Sequence, residues 1–527
     1  MASSHQLYLA GKQMACTMGC LVCMVLTTMA ADWPQYRGPN HDGVSTDRIK
    51  TDWSGSVTNP VWLVPSSNAF NSVCSFAVSG GRAFTQAHRI IGGQDKEVCI
   101  ALSITNGAEL WSSAVLDDAV YTGGVGYDDG PRSTPTVDNG AVYVLTSYLK
   151  LYKLNATNGA IIWQKDLIAI YGGSVIGWQN AASPLLENGL IYVNANCDSQ
   201  NLMALQTSDG EPAWRSQDEE WMTHSTPVLA TIHGVRQVIF ATQNGLVSLD
   251  PLLGDLLWRF VYPFNYSTSL GASPVAYDDM VFVTGAHAYG MGSVVVRVDL
   301  TNNAFVPTKL WFTNNPASHW MTPVVYQGFI YGQFGFQQSD ANTTTPLKCV
   351  EMRTGAVKWS VNNFGHGGVL LVNNYLLAIT EIGELVLAQP NTNAYTELGR
   401  FLAIPNYFGD TNKCWNSPAV ADGRVYVRST SFGACYDLST PPSLKLDPPR
   451  RTPANKFQLT VRTIDGTPID SDRLTAMEVH AGTNLAQSPS AWPKITNSLI
   501  LSNGVANVTN IDGSLSPTRF FIISEPN

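Results

Sequence analysis

Residues 133–167 constrain the chain most, because they read as one complete four-stranded antiparallel unit that the flanking residues restate. Ser133-Thr134-Pro135-Thr136-Val137 predicts a short strand opened by a proline, where a missing N–H is tolerated. Asp138-Asn139-Gly140 predicts a hairpin turn, since asparagine and glycine accept positive φ. Residues 141–146 (AVYVLT) are β-branched and aromatic, the composition of a strand buried on both faces. Residues 149–155 alternate apolar and polar, Thr157-Asn158-Gly159 turns the chain again, and Ile161-Ile162-Trp163 begins a fourth strand. A four-stranded sheet of this size cannot bury its own faces, so it must stack on copies of itself.

Two marks reveal the copies. The opening Ser/Thr-Pro recurs at Pro135, Pro184, Pro227, Pro274, Pro323 and Pro418, and the fourth-strand tryptophan at Trp62, Trp111, Trp163, Trp214, Trp258, Trp311 and Trp359. Most intervals are roughly 45–50 residues, one propeller blade each. Seven units run from Cys74, the seventh degenerate at 367–401, where Gly368 stands for the proline and Leu398 for the tryptophan. An eighth begins at Asn416-Ser417-Pro418 and stops after three strands, near Leu438; its fourth strand lies upstream, at residues 59–64 (NPVWLV). The expectation is an all-β chain whose residues 31–440 form an eight-bladed β-propeller closed by that N-terminal strand, which removes the open edges of a linear stack. The seven tryptophans are read as blade-to-blade packing.

The remaining segments differ in kind. Residues 1–30 read as an export signal, because Lys12 precedes an apolar run and Thr28-Met29-Ala30 resembles a small-residue cleavage site. Its removal leaves no transmembrane segment and places the protein in the periplasm, on the cell surface or outside the cell. Residues 441–455, with Pro441-Pro442 and Pro448-Pro449, read as a proline-rich linker. Residues 456–527 read as a small C-terminal β-sandwich-like accessory module of about five short strands. With 44% hydrophobic and 13% charged residues the chain is globular, and a net charge of -9 with scattered Lys and Arg argues against a nucleic-acid partner. Six cysteines follow the signal (Cys74, Cys99, Cys197, Cys349, Cys414, Cys435) and read as buried free thiols. No Cys-x-x-Cys-His or zinc spacing occurs, so no metal site is expected from these motifs.

A family resemblance rests on particular residues. Asp32-Trp33-Pro34-Gln35-Tyr36-Arg37-Gly38-Pro39, followed by Asp42-Gly43-Val44-Ser45, resembles the opening of secreted bacterial propellers of the pyrroloquinoline-quinone (PQQ) repeat type. Gly130-Pro131-Arg132-Ser133-Thr134-Pro135 and the Leu-x-x-x-Thr-x-Gly-x-x-x-Trp copies are similar to the same family, over roughly residues 32–440. The family holds quinone-dependent alcohol and sugar dehydrogenases and non-catalytic scaffolds such as the outer-membrane-protein assembly lipoprotein. Resemblance to the dehydrogenases implies PQQ with calcium, Trp178 or Trp320 as stacking platform, and Arg132 facing the quinone oxygens. Those enzymes commonly clamp the cofactor against a disulfide of adjacent cysteines, and no Cys-Cys occurs here. Asp128, Asp129, Asp218, Glu219, Glu220 and Asp410 are the available carboxylates near the mouth, but none sits in a recognisable calcium pattern, and they read as solvated loop charges rather than ligands.

In an antiparallel blade the loop entering the first strand and the loop leaving the second lie on one face. Residues three before each opening proline should therefore encircle the mouth of the central channel: Arg132, Ala181, His224, Gly271, Trp320 and Trp415, with His366 at the equivalent place in the degenerate unit. The entering loops add Trp178, Trp221, His319, Tyr407 and Phe408. Arg132, Trp178, His224, Trp320, His366 and Trp415 are the candidate ligand-binding residues, since indoles, imidazoles and donors converging on a concave mouth suit a planar, anionic or hydroxylated ligand. The alternative is that Trp320 and Trp415 plug the channel and carbonyls satisfy the histidines. No Ser/His/Asp arrangement points to hydrolysis, and no catalytic residue is identified. Two functions remain open: an exported propeller that binds a protein or polysaccharide without turnover, or a PQQ-dependent oxidoreductase acting on an alcohol or sugar.

Overall fold

Positive φ at Asn139 (47°) and Gly140 (75°) reverses the chain between the strands Thr136–Asp138 and Ala141–Leu145, and Lys150–Asn155 and Ile161–Asp166 complete one sheet. The computed structural model describes residues 32–524 apart from 54, 66–70, 118, 120–129, 198, 217–219, 263–269, 286–290, 336–344, 406–411, 454–455, 465, 470, 484–490 and 513–519. The expected export signal therefore lies outside the described residues. Two compact units are present, Ala30–Thr440 and Pro441–Asn527. Among the described residues no helix is long and apolar enough to cross a membrane.

The described residues of Ala30–Thr440 hold eight sheets. Sheets 1 to 6 are meanders of four consecutive strands, from Ala77–Ser79 in the first to Val357–Val361 in the sixth. Sheet 7 contains Gly368–Val372, Tyr375–Ile379, Glu384–Gln389 and Thr396–Leu402. In sheet 8, Ala419–Ala421, Arg424–Arg428 and Phe432–Asp437 gain Pro60–Pro65 as their fourth strand, with Trp62 opposite Cys435. Apolar clusters fill the spaces between consecutive sheets. Phe84 and Cys99 of sheet 1 meet Val142 and Leu154 of sheet 2, and one cluster joins Leu387 of sheet 7, Tyr426 of sheet 8 and Ile100 of sheet 1. The stack thus returns on itself. The six cysteines from Cys74 onward are free and buried.

The repeated tryptophan reaches forward to the next sheet. Indole Nε1 of Trp62 donates to Ile104 O at 3.1 Å, that of Trp111 to Ala156 O at 3.1 Å and that of Trp214 to Pro251 O at 2.9 Å. Each accepting carbonyl lies in the turn joining the third and fourth strands. The glycine of that turn lies against the indole: a Cβ on Gly159 would sit 2.5 Å from Trp111 Cε3, and one on Gly254 2.6 Å from Trp214 Cδ2. Trp258 is the exception, because the turn it faces is Asn302-Asn303; its Nε1 donates instead to Gln237 Oε1 at 2.7 Å within its own sheet. In sheet 7, where Leu398 replaces the tryptophan, Trp53 from upstream packs on Gly399 and stands edge-on to Phe401 at 5.3 Å.

The segment that carries the family resemblance is a strap across the ring. Trp33 exchanges backbone hydrogen bonds with Val78 of sheet 1, and Pro34 O accepts from Val137 N of sheet 2. Arg37, almost fully buried, donates to Thr322 O at 3.0 Å and Pro323 O at 2.7 Å on the approach to sheet 6, and to Asp42 O at 2.8 Å. Val44–Ser45 then pairs in parallel with Leu371 and Val372 of sheet 7, a fifth strand that the repeat pattern does not anticipate. Gly423 N of sheet 8 donates to Asp47 Oδ2 at 3.0 Å. Because Val372 and Gly423 lie at the first hairpins of their sheets, the strap occupies the hairpin end of the channel.

In the second unit, Leu444–Leu446 and Arg450–Thr452 both pair with Lys456–Thr463, so the stretch expected as a linker carries two short strands. Val505–Asp512 and Leu499–Ser502 extend that sheet, and Glu478–Gly482 pairs with Phe520–Ser524. Val479 and Ile523 pack on Leu459 and Val508, which lays the two-stranded sheet on the five-stranded one. The short helix Ser471–Ala476 was not foreseen.

The indole contact at the turn glycine can be separated from its backbone conformation. Gly140 and Gly159 have φ of 75° and 73°, but a Cβ on Gly140 would meet nothing within 4 Å. Gly140→Ala should lose about 1–2 kcal/mol from left-handed backbone alone, and Gly159→Ala roughly 1–3 kcal/mol more from overpacking. Urea unfolding of both variants reads the difference; equal losses would show that the indole does not require the glycine.

Candidate functional site

The strands entering the ring centre are short and apolar, so the loops before them set the mouth. Trp320, His366 and Trp415 precede the first strands of sheets 6, 7 and 8, and their rings meet: Trp320 to Trp415 at 4.8 Å between centroids, Trp320 to His366 at 4.9 Å, His366 to Trp415 at 6.0 Å. Contact between residues of sheets 6 and 8, which are not neighbours, places this cluster near the ring axis. His319 lies against Trp320 at 4.9 Å.

Glu381 anchors the cluster. It leaves the second strand of sheet 7, is nearly fully buried, and accepts from Trp415 Nε1 at 2.8 Å and from His366 N at 3.1 Å, with His366 Nδ1 at 3.4 Å. Burial pushes its pKa up, but hydrogen bonds from His366 and Trp415 outweigh that and hold the carboxyl below its ordinary range. Lys413, also buried, sets its Nζ 4.2 Å from the Trp415 ring centre. One face of Trp415 therefore carries a cation and the indole also contacts Trp320. Sequence reasoning missed Glu381 and Lys413. Glu381 had a signal, a carboxylate two residues past the apolar strand Tyr375–Ile379 on the loop that leaves toward the mouth.

The other three candidates form a second group. Arg132 Nη1 donates to Trp178 O at 2.6 Å, and its guanidinium carbon lies 6.0 Å from the Trp178 ring centre. His224 Nε2 is 3.2 Å from Gly177 O. Arg132 and His319 both oppose a charge on His224. Asp128, Asp129, Asp218, Glu219, Tyr407, Phe408 and Asp410 lie outside the described residues. Glu220 is buried in a pair with Arg259 at 2.6 Å and accepts from Thr242 Oγ1 at 2.7 Å, a structural role rather than a ligand position.

The described residues do not fit PQQ with calcium. No group of three or more His, Cys, Asp or Glu side chains gathers among them, and the cysteines are separate and buried. Trp320 packs on His319, His366 and Trp415, and both oxygens of Glu381 already accept hydrogen bonds.

Two buried histidines give the fold a pH dependence. Burial pushes His224 down to about 3, aided by Arg132 and His319, and pushes His41 of the strap down to about 3, aided by Arg236 and Arg37. Both stay neutral in the fold while the unfolded chain protonates them near pH 6.5. Unfolding thus takes up protons between about pH 3 and 6.5, so stability rises with pH in that window and is lost on acidification. At pH 4 each should remove on the order of 3 kcal/mol. Urea midpoints across this window should flatten in His224→Gln and further in His224→Gln with His41→Gln; an unchanged slope would contradict the assignment.

Comparison with known proteins gives these sites a family. A family model described as outer membrane protein assembly factor BamB matches residues 94–361. The assembly factor of that name from Yersinia pestis is 24% identical over 206 residues, covering 37% of this chain and 47% of the relative; that from Moranella endobia is 26% identical over 171 residues, covering 30% and 38%. The chain spans about half or less of the length of these curated relatives. Among solved structures, the quinohemoprotein alcohol dehydrogenase of Comamonas testosteroni superposes with a TM-score of 0.53 at 14% identity, over 81% of this chain and 84% of that one, a likeness of fold alone. The fold is a β-propeller of PQQ-like repeats, and the chain belongs to the family of the outer membrane protein assembly factor BamB.

Proposed function

We propose that the protein is an exported, eight-bladed propeller that binds a protein or polysaccharide at the channel mouth and holds it without turnover. In this reading the eight sheets are the blades and Pro60–Pro65 is the strand that closes the ring. Pro441–Asn527 serves as a sandwich-like accessory module that attaches or presents the ring. Arg132, Trp178, His224, Trp320, His366 and Trp415 are the mouth residues through which a ligand is held or excluded.

The observation that carries this reading is the packing of Trp320 on Trp415 and His366, with Trp415 bonded to Glu381. A dehydrogenase of this fold needs the protein to position its cofactor, and here Trp320 packs on protein rings and each Glu381 oxygen accepts a protein hydrogen bond. Kinship with proteins named assembly factors supports the same non-catalytic reading.

Titration of the purified protein with PQQ and calcium, followed by tryptophan fluorescence and by dye reduction with a panel of alcohols and sugars, tests it. The expected result is no saturable quenching at micromolar cofactor and no dye reduction. Saturable quenching with turnover would replace the scaffold reading by a quinone-dependent oxidoreductase.

A further inference from the structure

Cations are the minority charge in this chain, 31 against 40 carboxylates, yet residues 445–462 (KLDPPRRTPANKFQLTVR) hold five cations and one carboxylate. Strand pairing gathers four of the five on one sheet face. In Lys456–Thr463 the side chains of Leu459, Val461 and Thr463 are buried, so alternation turns Lys456, Gln458, Thr460 and Arg462 outward. Register sets Lys445 directly opposite Arg462 and Arg450 directly opposite Gln458, on the same outer face. Lys445, Arg450 and Arg462 are exposed there. Like charges directly across two strands destabilise their pairing. Asp447 offsets this in part, accepting from Arg462 Nε at 2.7 Å, and Asp512 stands opposite Lys456. The face still holds four cations to two carboxylates.

Charge calls for an anionic partner, and the groups between the cations narrow its kind. From Lys456 to Arg462 the face offers a lane about 20 Å long. Gln458 and Thr460 lie along it, and Asn507 beside it accepts from Gln458 Nε2 at 3.2 Å and from Thr460 Oγ1 at 3.0 Å. The Gln458 carbonyl oxygen and the Thr460 lone pairs remain as acceptors. A bilayer surface calls for apolar side chains beneath the cations, whereas the exposed Ile464 and Ile500 stand at the margins of this lane. A nucleic-acid strand calls for aromatic platforms, and the outward residues of Lys456–Thr463 are Lys, Gln, Thr and Arg. An acidic polysaccharide brings carboxylates or sulfates to the cations and hydroxyls to the amide and threonine between them. We propose that this outer face binds an acidic polysaccharide laid along Lys456–Thr463, with Lys445, Arg450, Lys456 and Arg462 holding its anionic groups. The inference rests on the reading of Pro441–Asn527 as the part that attaches the ring, and names what it attaches to.

The test titrates the full chain by calorimetry with polygalacturonate, neutral dextran, polyglutamate, single-stranded DNA and phosphatidylglycerol vesicles. Polygalacturonate should bind saturably and most tightly, and more weakly as salt rises from about 0.05 to 0.5 M. Lys445→Gln, Arg450→Gln and Lys456→Gln should each weaken it about two- to fivefold, and the three together about tenfold or more. None should lower the melting temperature. Lys309→Gln with Arg353→Gln, which neutralises two exposed cations of the ring, should leave binding as it was. An equal loss in that ring variant, tighter binding of any other probe, or no binding of polygalacturonate would overturn the inference. Binding that survives the triple variant but is lost in Arg132→Gln would also overturn it while supporting the mouth as the binding face, so the two readings fail separately.

Discussion

The contact between a fourth-strand indole and the turn of the next sheet is the constraint on which the propeller depends. A four-stranded sheet has two apolar faces and no means to orient its neighbour, since apolar burial is non-directional. The indole supplies direction. Its ring fills the gap between sheets, and its N–H donates to a turn carbonyl one sheet ahead, as Trp111 does to Ala156 O. The turn must approach to within a carbon radius of the ring, which is why Gly159 and Gly254 stand there. Where the partner turn is Asn302-Asn303, the indole bond turns inward to Gln237, and the two sheets are joined by apolar packing and by His233 Nε2, 2.7 Å from Val298 O. The repeat is therefore a chain of specific handshakes, with two links of a different kind, at Trp258 and at Leu398.

That constraint was legible because it is written twice, once as tryptophan and once as glycine, at a regular interval. The upstream fourth strand was legible for the same reason, since Trp62 carries the mark without preceding strands. What could not be read lacks a period. The strand Val44–Ser45 is two residues long and pairs in parallel with a distant partner, and Arg37 is satisfied by backbone carbonyls that no side-chain pattern announces. Leu444–Leu446 and Arg450–Thr452 lie among prolines, and prolines at sheet edges resemble a linker until the partner strand is known.

The mouth was legible in position but not in arrangement. Counting back from each opening proline locates Arg132, His224, Trp320 and Trp415 on one face, because the blade geometry is fixed. It does not say which rings will pack on one another. That depends on Glu381, which draws Trp415 and His366 together, and on Lys413 beneath the indole. Nor does it say that Trp178 takes a left-handed backbone, which follows from hydrogen bonds to its own and its neighbour's carbonyls.

The strap has a consequence for the order in which the molecule assembles. Residues 33–50 find native partners in sheets 1, 2, 6, 7 and 8, the last of them at Leu438 and Ser439. A chain that emerges amino end first can settle Trp33 and Pro34 on sheets 1 and 2 early, but the partners of Arg37, Val44 and Lys50 in sheets 6, 7 and 8 follow only roughly three to four hundred residues later. The blades between can condense one on the next through local contacts, but the circle stays open and its axis unfilled. The strap from Arg37 onward is the last to be matched, and with it the ring passes from a curved stack that can still widen to a closed object that cannot.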